Sequence, residues 1–199
     1  MNVPIVVYTH TDMVDTWEMF FGQLKKYLPN NKVYVVVDKE HSKLSQYVQL
    51  TYDDSKPYTE RWKEVLPQIN EETILFLHED MVLFGEVKLD YIERYYDLVK
   101  SGKVSSIKLI NTITNKSSSD IDNTLVESTF SIQPTLINRK DFVSLLNSVP
   151  SLNIWDFEGA VESIAHHYMV RLGNEKQRGM YHCDSSVFPY IATAINKGK

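Results

Sequence analysis

Three short runs of apolar, largely β-branched residues limit what this chain can become: VPIVVY (Val3–Tyr8), VYVVV (Val33–Val37) and TILFL (Thr73–Leu77). Each is apolar at successive positions, so each must be covered on both faces, which is the pattern of strands buried inside a parallel sheet. Between them lie segments with helical spacing. Asp15 with Glu18 three residues on marks a helix start, and Trp17, Phe20, Phe21, Leu24 and Leu28 come after it on one face until Pro29-Asn30-Asn31. Tyr58 to Ile69 carries Trp62, Val65, Leu66 and Ile69 on one face, with Pro67 disturbing its last turn. Leu89, Ile92, Tyr96 and Val99 line another helix, which Gly102 can end. Strand, helix, strand, helix, strand predicts an α/β fold: a Rossmann-type three-layer sandwich with a mostly parallel central sheet.

The remainder continues the alternation. Ser105–Ile110 reads as a fourth strand, Asn111–Ser128 as a long polar loop of the kind that is functional or mobile, and Phe130–Ile137 as a fifth strand. Phe142, Leu145 and Leu146 sit on a helix, and a longer helix runs from about Asp156 to Leu172, with Phe157, Val161, Ile164, Tyr168 and Leu172 on its apolar face. The 199 residues suit a single domain, its halves 1–110 and 111–199. The final AINKGK stops abruptly after a helix-like stretch, the ending expected of a piece of a longer protein.

A net charge of −5 argues against broad nucleic-acid binding, which needs a basic surface. The single cysteine, Cys183, rules out an intrachain disulfide framework and fits a reducing compartment. No apolar run reaches the ~20 residues of a membrane span. These features predict a cytoplasmic protein. There is no GxGxxG, no GxxxxGK[ST] and no GxSxG, which disfavours dinucleotide oxidoreductases, P-loop phosphotransferases and α/β-hydrolases.

Parallel sheets place ligands beyond the carboxyl ends of their strands. Thr9-His10-Thr11-Asp12 comes after the first strand, Asp38 closes the second, and His78-Glu79-Asp80 interrupts the apolar run ILFLHEDMVLF at the end of the third. These clusters should meet at one sheet edge. A hard cation such as Mg²⁺ or Mn²⁺ takes carboxylate oxygen and often shares it with substrate phosphates, and Asp80 is its natural ligand. The plainer alternative is that these residues end strands and cap the next elements. Late in the chain, Asp156 and Glu158 flank Phe157 at a helix start, where acids suit the helix dipole. Glu158, Glu162 and His166 share a face that can bind metal or simply be solvated.

Several of these stretches resemble a known family. Ile74–Asp80 resembles the region around the metal-binding acid motif of GT-A nucleotide-sugar glycosyltransferases, and Tyr58-Thr59-Glu60-Arg61-Trp62 resembles the helix start before it. Ser131–Ile137, Arg139-Lys140-Asp141-Phe142 and Trp155-Asp156-Phe157-Glu158 resemble a bacterial and viral group of polysaccharide glycosyltransferases. In that group an S-x-Q-P-x-x-W/I strand precedes a short helix and a W-x-F-E motif. The likeness spans most of the chain in order. It departs from D-x-D at the first position, which is His78.

The resemblance implies a GT-A-like fold that moves a sugar from a nucleotide-diphosphate donor to a carbohydrate or other hydroxyl acceptor. The donor base would lie near Thr9, His10, Thr11 and Asp38, with Arg61 serving the diphosphate and Glu79 among the donor-binding residues. Mn²⁺ or Mg²⁺ would sit on Asp80, weakened by His78, with His182 reaching the metal or phosphates. Glu158 would be the base of an inverting reaction, Asp156 its substitute. Trp155 would offer a face to a sugar ring, Gln133 and Pro134 would shape the acceptor side, and residues 111–128 would close over the site. Two alternatives stay open: a metal-dependent nucleotidyltransferase or phosphohydrolase, and a non-catalytic GT-A-like binding domain.

Overall fold

The computed structural model describes residues 3–112, 116–161, 167–173, 175–178 and 182–191, the side chain of His182 excepted. Its centre is an eight-stranded sheet. The strands are β1 (Ile5–Tyr8), β2 (Val33–Val37), β3 (Val48–Thr51), β4 (Thr73–His78), β5 (Ser106–Lys108), β7 (Leu125–Ser128), β8 (Thr135–Asn138) and β9 (His167–Val170). Across the sheet their order is β3-β2-β1-β4-β8-β5-β9-β7. The β3-β2-β1-β4 half is parallel throughout. β8 runs antiparallel between β4 and β5, β9 is parallel to β5, and β7 is antiparallel to β9. A smaller sheet joins β6 (Asn111–Thr112), β10 (Gln177–Arg178) and β11 (His182–Cys183).

The three runs that head the sequence become β1, β2 and β4, every residue of each strand buried. Helices cover both faces of the sheet. Tyr8 packs against Tyr58 and Trp62 of α2 (Tyr58–Val65). The next residue, Thr9, points the other way and accepts a hydrogen bond from Trp17 of α1 (Val14–Tyr27) at 2.8 Å. On the α2 face the rings of Trp62, Phe76, Phe142 and Phe157 link α2 to α4 (Arg139–Asn147) and α5 (Ile154–Val161). One apolar cluster runs from Val3 to Tyr190, and β8, from the second half of the chain, is threaded between β4 and β5 of the first.

Local differences from the sequence reading have physical causes. α1 does not begin with an Asp15 cap. The chain enters it through a 3₁₀ turn, Thr11–Met13, capped by His10, whose Nδ1 accepts the Asp12 N–H, and Asp15 falls inside the first turn. α2 ends at Val65 and Pro67 carries the chain on as a 3₁₀ turn. α3 (Leu89–Lys100) buries Ile92, Tyr95 and Val99 but exposes Leu89, and Gly102 lies just beyond it at φ 74°. β3 has a weak apolar signal because, as an edge strand, it buries only Leu50. The polar 111–128 stretch is not all loop: β6 opens it and β7 closes it. The expected strand from Phe130 narrows to Thr135–Asn138, beyond Pro134, which lacks an N–H for the ladder.

The expected helix from Asp156 to Leu172 is the largest correction. α5 is described as Ile154–Val161, and Tyr168, spaced as if on its apolar face, belongs to β9 instead. The short run His167–Val170 fits both periods, and pairing with β5 and β7 satisfies its backbone within the sheet. Ile164, Glu162 and His166 lie outside the described residues.

Candidate active site

Tyr8 and His78, the last residues of β1 and β4, are register partners. The segments leaving the two strands therefore emerge side by side. There a cleft of about 300 Å³ is lined by Tyr8, Thr9, His10, Pro57, Tyr58, Arg61, His78, Glu79, Asn153 and Ile154. The sequence reading places Thr9, His10, Arg61 and Glu79 in such a site. Pro57, Asn153 and Ile154 carry no signal in the sequence beyond lying next to helix starts. Tyr8 is signalled only as the end of a strand.

Arg61 is the cleft's strongest cation, and it is already engaged. Its Nε donates to Lys56 O at 2.6 Å, Nη1 to the Tyr8 hydroxyl at 3.1 Å, and Nη2 to Asp54 O at 2.7 Å. Nη2 also lies 2.9 Å from the Asp54 carboxylate, and the guanidinium covers the Tyr52 ring, which stacks on Tyr8. This network fixes the wall of the cleft. His10 Nε2 lies 3.3 Å from Asp54 and 3.8 Å from Asp38.

Asp38 and Thr11 do not line the cleft; they brace it. The Asp38 carboxylate accepts the Thr11 N–H and hydroxyl, both at 2.7 Å. Burial alone would raise this carboxyl, but those two donors hold it below its ordinary range. Glu79 is different. Burial, with the adjacent charge of Asp80, pushes it up to about 8 despite a hydrogen bond from Thr9. Thr9 is itself held by the Trp17 indole, so its hydroxyl positions Glu79.

His78 occupies the place of the first acid. Its imidazole is buried among Tyr8, Tyr58 and Phe76, and burial depresses it to about 3, so the ring is neutral. Its Nε2 shares a 3.1 Å hydrogen bond with the Tyr58 hydroxyl. Burial, with negative charge from Tyr8, Glu158 and Glu79, keeps that phenol well above its ordinary value. Tyr58 thus stands within the field of both carboxylates.

Glu158 is half-buried on α5, and its Oε1 accepts the Ile132 N–H at 2.9 Å. Asp156 is exposed and serves the helix start: Asn153 Nδ2 donates to it at 2.6 Å, while Asn153 Oδ1 accepts the Trp155 and Asp156 N–H groups, both at 3.0 Å. Asp80 lies just past β4, partly buried, its carboxyl raised by burial. The segment after it pairs with the chain's later part, Phe84 N–H to Pro189 O at 3.0 Å and Ile191 N–H to Val82 O at 2.9 Å. The Tyr190 hydroxyl there donates to Gln133. His182 is placed only as backbone, in register with Thr112. Cys183 is buried, which raises its thiol and makes it a poor nucleophile.

Among the described residues no three His, Cys, Asp or Glu side chains converge as a metal cluster. The carboxylates that could hold a cation here are those of the consecutive residues Glu79 and Asp80, both raised by burial. Full coordination would need oxygens from a bound ligand.

No protein-family model matches the sequence, and no curated protein matches it. Solved structures do share its fold. UDP-glucose pyrophosphorylase complexed with UDP-glucose aligns at a TM-score of 0.54 with 9% identity, over 86% of this chain and 90% of that one. The glycosyltransferase GlyE of Streptococcus pneumoniae TIGR4 aligns at 0.52 with 12% identity, over 87% of this chain and 46% of that one. The bifunctional IspDF of Campylobacter jejuni aligns at 0.50 with 15% identity, over 94% of this chain and 52% of that one. The chain therefore spans about half the length of IspDF and of GlyE. Its architecture is that of a fold used by both nucleotidyltransferases and glycosyltransferases. Among the described residues no helix is long and apolar enough to cross a membrane.

Proposed function

We propose that the chain is a glycosyltransferase of GT-A type that moves a sugar from a nucleotide-diphosphate donor to a hydroxyl acceptor with inversion. One observation carries the reading. The cleft at the ends of β1 and β4 places Arg61 and Glu79 on its walls together with Tyr58, whose phenol feels the charge of both Glu79 and Glu158. In this reading the donor lies across the strand ends, its base toward His10 and its pyrophosphate toward Asp80. Mn²⁺ or Mg²⁺ held by Asp80 and pyrophosphate oxygens would offset charge on the leaving group. Glu158 takes the acceptor proton as the acceptor oxygen bonds to the anomeric carbon, and the bond to the diphosphate breaks with its electron pair leaving on the diphosphate.

Nucleotidyl transfer fits the fold equally but the site less well. A nucleoside triphosphate needs a cradle of backbone N–H groups and cations. Here the β1–α1 connection, Thr9–Met13, has no glycine, lysine or arginine.

The test is incubation with UDP- and GDP-sugars with and without Mn²⁺, monitoring release of the nucleotide. At least one sugar donor is cleaved, and Asp80→Ala abolishes it. Glu158→Gln, which keeps an acceptor for the Ile132 N–H, retains slow donor hydrolysis but loses about 10²–10⁴-fold in transfer. Cleavage of nucleoside triphosphates with no cleavage of sugar donors would move the assignment to the nucleotidyltransferases. Stabilisation by nucleotide with no turnover at all would leave a binding domain.

A further inference from the structure

His10 and Arg61 reach the cleft from different elements, one from the β1–α1 connection and the other from α2, yet both close on one carboxylate. His10 Nε2 lies 3.3 Å from Asp54 Oδ2, and Arg61 Nη2 lies 2.9 Å from Asp54 Oδ1. The imidazole is oriented for this. Its Nδ1 accepts the Asp12 N–H at 3.0 Å, so the neutral ring carries its proton on Nε2, the nitrogen beside Asp54. Each Asp54 oxygen therefore meets its own N–H donor. Two donors that converge on a carboxylate in this way suit the oxygens of a phosphate equally well.

The carboxylate is held less firmly than the turn that carries it. Asp53–Lys56 closes through the Lys56 N–H to Asp53 O at 3.1 Å, and the Ser55 N–H and hydroxyl donate to Asp53 Oδ1 at 3.0 and 2.6 Å. Arg61 ties the backbone of the turn to α2, with Nε donating to Lys56 O at 2.6 Å and Nη2 to Asp54 O at 2.7 Å. None of these bonds uses the Asp54 carboxylate, so it can rotate aside while the turn keeps its shape. The side chain is 53% exposed, and ion pairs so open to water are weak. A ligand phosphate can displace it.

We propose that Asp54 is a built-in competitor for the anion position between His10 and Arg61, which a phosphate-bearing ligand takes only when the carboxylate swings away. Ligand affinity is then reduced by the fraction of molecules in which Asp54 is closed. The proposal rests on the transferase reading above for the phosphate that arrives, that of a nucleotide-diphosphate sugar. The displacement itself needs no sugar, acceptor or metal, so inorganic pyrophosphate tests it without turnover.

The experiment is calorimetric titration of pyrophosphate into the protein with chelator present, at about 0.15 M salt, where exposed charges outside the site are largely screened. Asp54→Asn removes the charge that closes on His10 and Arg61, and it binds pyrophosphate about fivefold more tightly than the wild type. Asp53→Asn removes the same charge one residue away and keeps an acceptor for Ser55; it shifts the affinity by less than about twofold. Unchanged or weaker binding by Asp54→Asn, an equal gain from Asp53→Asn, or no pyrophosphate bound by either wild type or Asp54→Asn overturns the proposal. Donor cleavage is read separately. A gain in Asp54→Asn without cleavage of any sugar donor upholds the competitor and removes the transferase, so the two failures are distinct.

Discussion

The hydroxyl of Tyr58 and Nε2 of His78 lie 3.1 Å apart in the floor of the cleft, inside a cage of rings from Tyr8, Phe76 and Trp62. Where the resembled motif has an acid, this chain has a neutral imidazole satisfied by a phenol. Tyr58→Phe leaves that nitrogen without its partner and costs about 1–3 kcal/mol. His78→Asp does not restore an acidic motif; it buries a carboxyl among aromatic rings and costs about 3–5 kcal/mol. Urea unfolding of both variants measures this. A His78→Asp protein as stable as the wild type, and more active, would refute it.

Burial moves two neighbouring groups in opposite senses, and pH separates them. In metal-free protein with chelator present, His78 stays neutral down to about 3 when folded, whereas the unfolded chain takes up its proton below 6.5. Its contribution is therefore complete above 6.5 and falls away as pH drops toward 3. Relative to His78→Phe, the wild type loses about 1.4 kcal/mol per pH unit across that window. Glu79 keeps its proton when folded up to about 8, against 4.5 when unfolded. Its contribution is complete below 4.5 and is lost as pH rises to about 8, so the advantage of Glu79→Gln over wild type widens by about 1.4 kcal/mol per unit there. Parallel curves for either pair would contradict the placements.

Asp38 is predicted to matter for the loop rather than for the ligand. Asp38→Ala deprives Thr11 of acceptors for both its N–H and its hydroxyl and costs about 1–3 kcal/mol. Asp38→Asn, which keeps one carbonyl oxygen, loses less. The readout is the urea midpoint at constant slope. An Asp38→Ala chain with unchanged midpoint but abolished nucleotide affinity would instead make Asp38 a direct ligand contact.

Tyr190 and Gln133 form a clasp between the segment beside Asp80 and the approach to β8. Tyr190→Phe and Gln133→Leu each strand a partner and cost about 1–2 kcal/mol, while the double variant costs less than their sum. Strict additivity in a double-mutant cycle would show that the bond contributes nothing.

Much of this architecture can be read from the chain because buried parallel strands have no polar face to confuse: β1, β2 and β4 are all apolar, and the helices between them keep clean stripes. That topology brings Thr9, His10 and Glu79 to one cleft, and the resemblance adds Arg61. The features that escaped did so for definable reasons. β3 is an edge and lacks a run. His167–Val170 fits a helical spacing as well as a strand, and only its neighbours β5 and β7 decide. The commitments of Arg61 to Tyr8 and Asp54, and of Asp38 to Thr11, depend on side chains distant in sequence, as does the cage that makes His78 neutral. Asp156 sits in the first turn of α5, as the commonplace reading has it, and its carboxylate accepts from Asn153, the side chain that caps the helix.

The central claim is that the cleft between β1 and β4 receives a nucleotide-diphosphate sugar beside Asp80. Titration calorimetry of UDP- and GDP-sugars with Mn²⁺ tests it most directly, using wild type, Asp80→Ala and Ile154→Trp, the last filling the cleft. The account predicts saturable binding of at least one donor to the wild type, weakened tenfold or more (about 1.4 kcal/mol) by each substitution. Equal affinity in all three proteins, or no donor bound by the wild type, would contradict it.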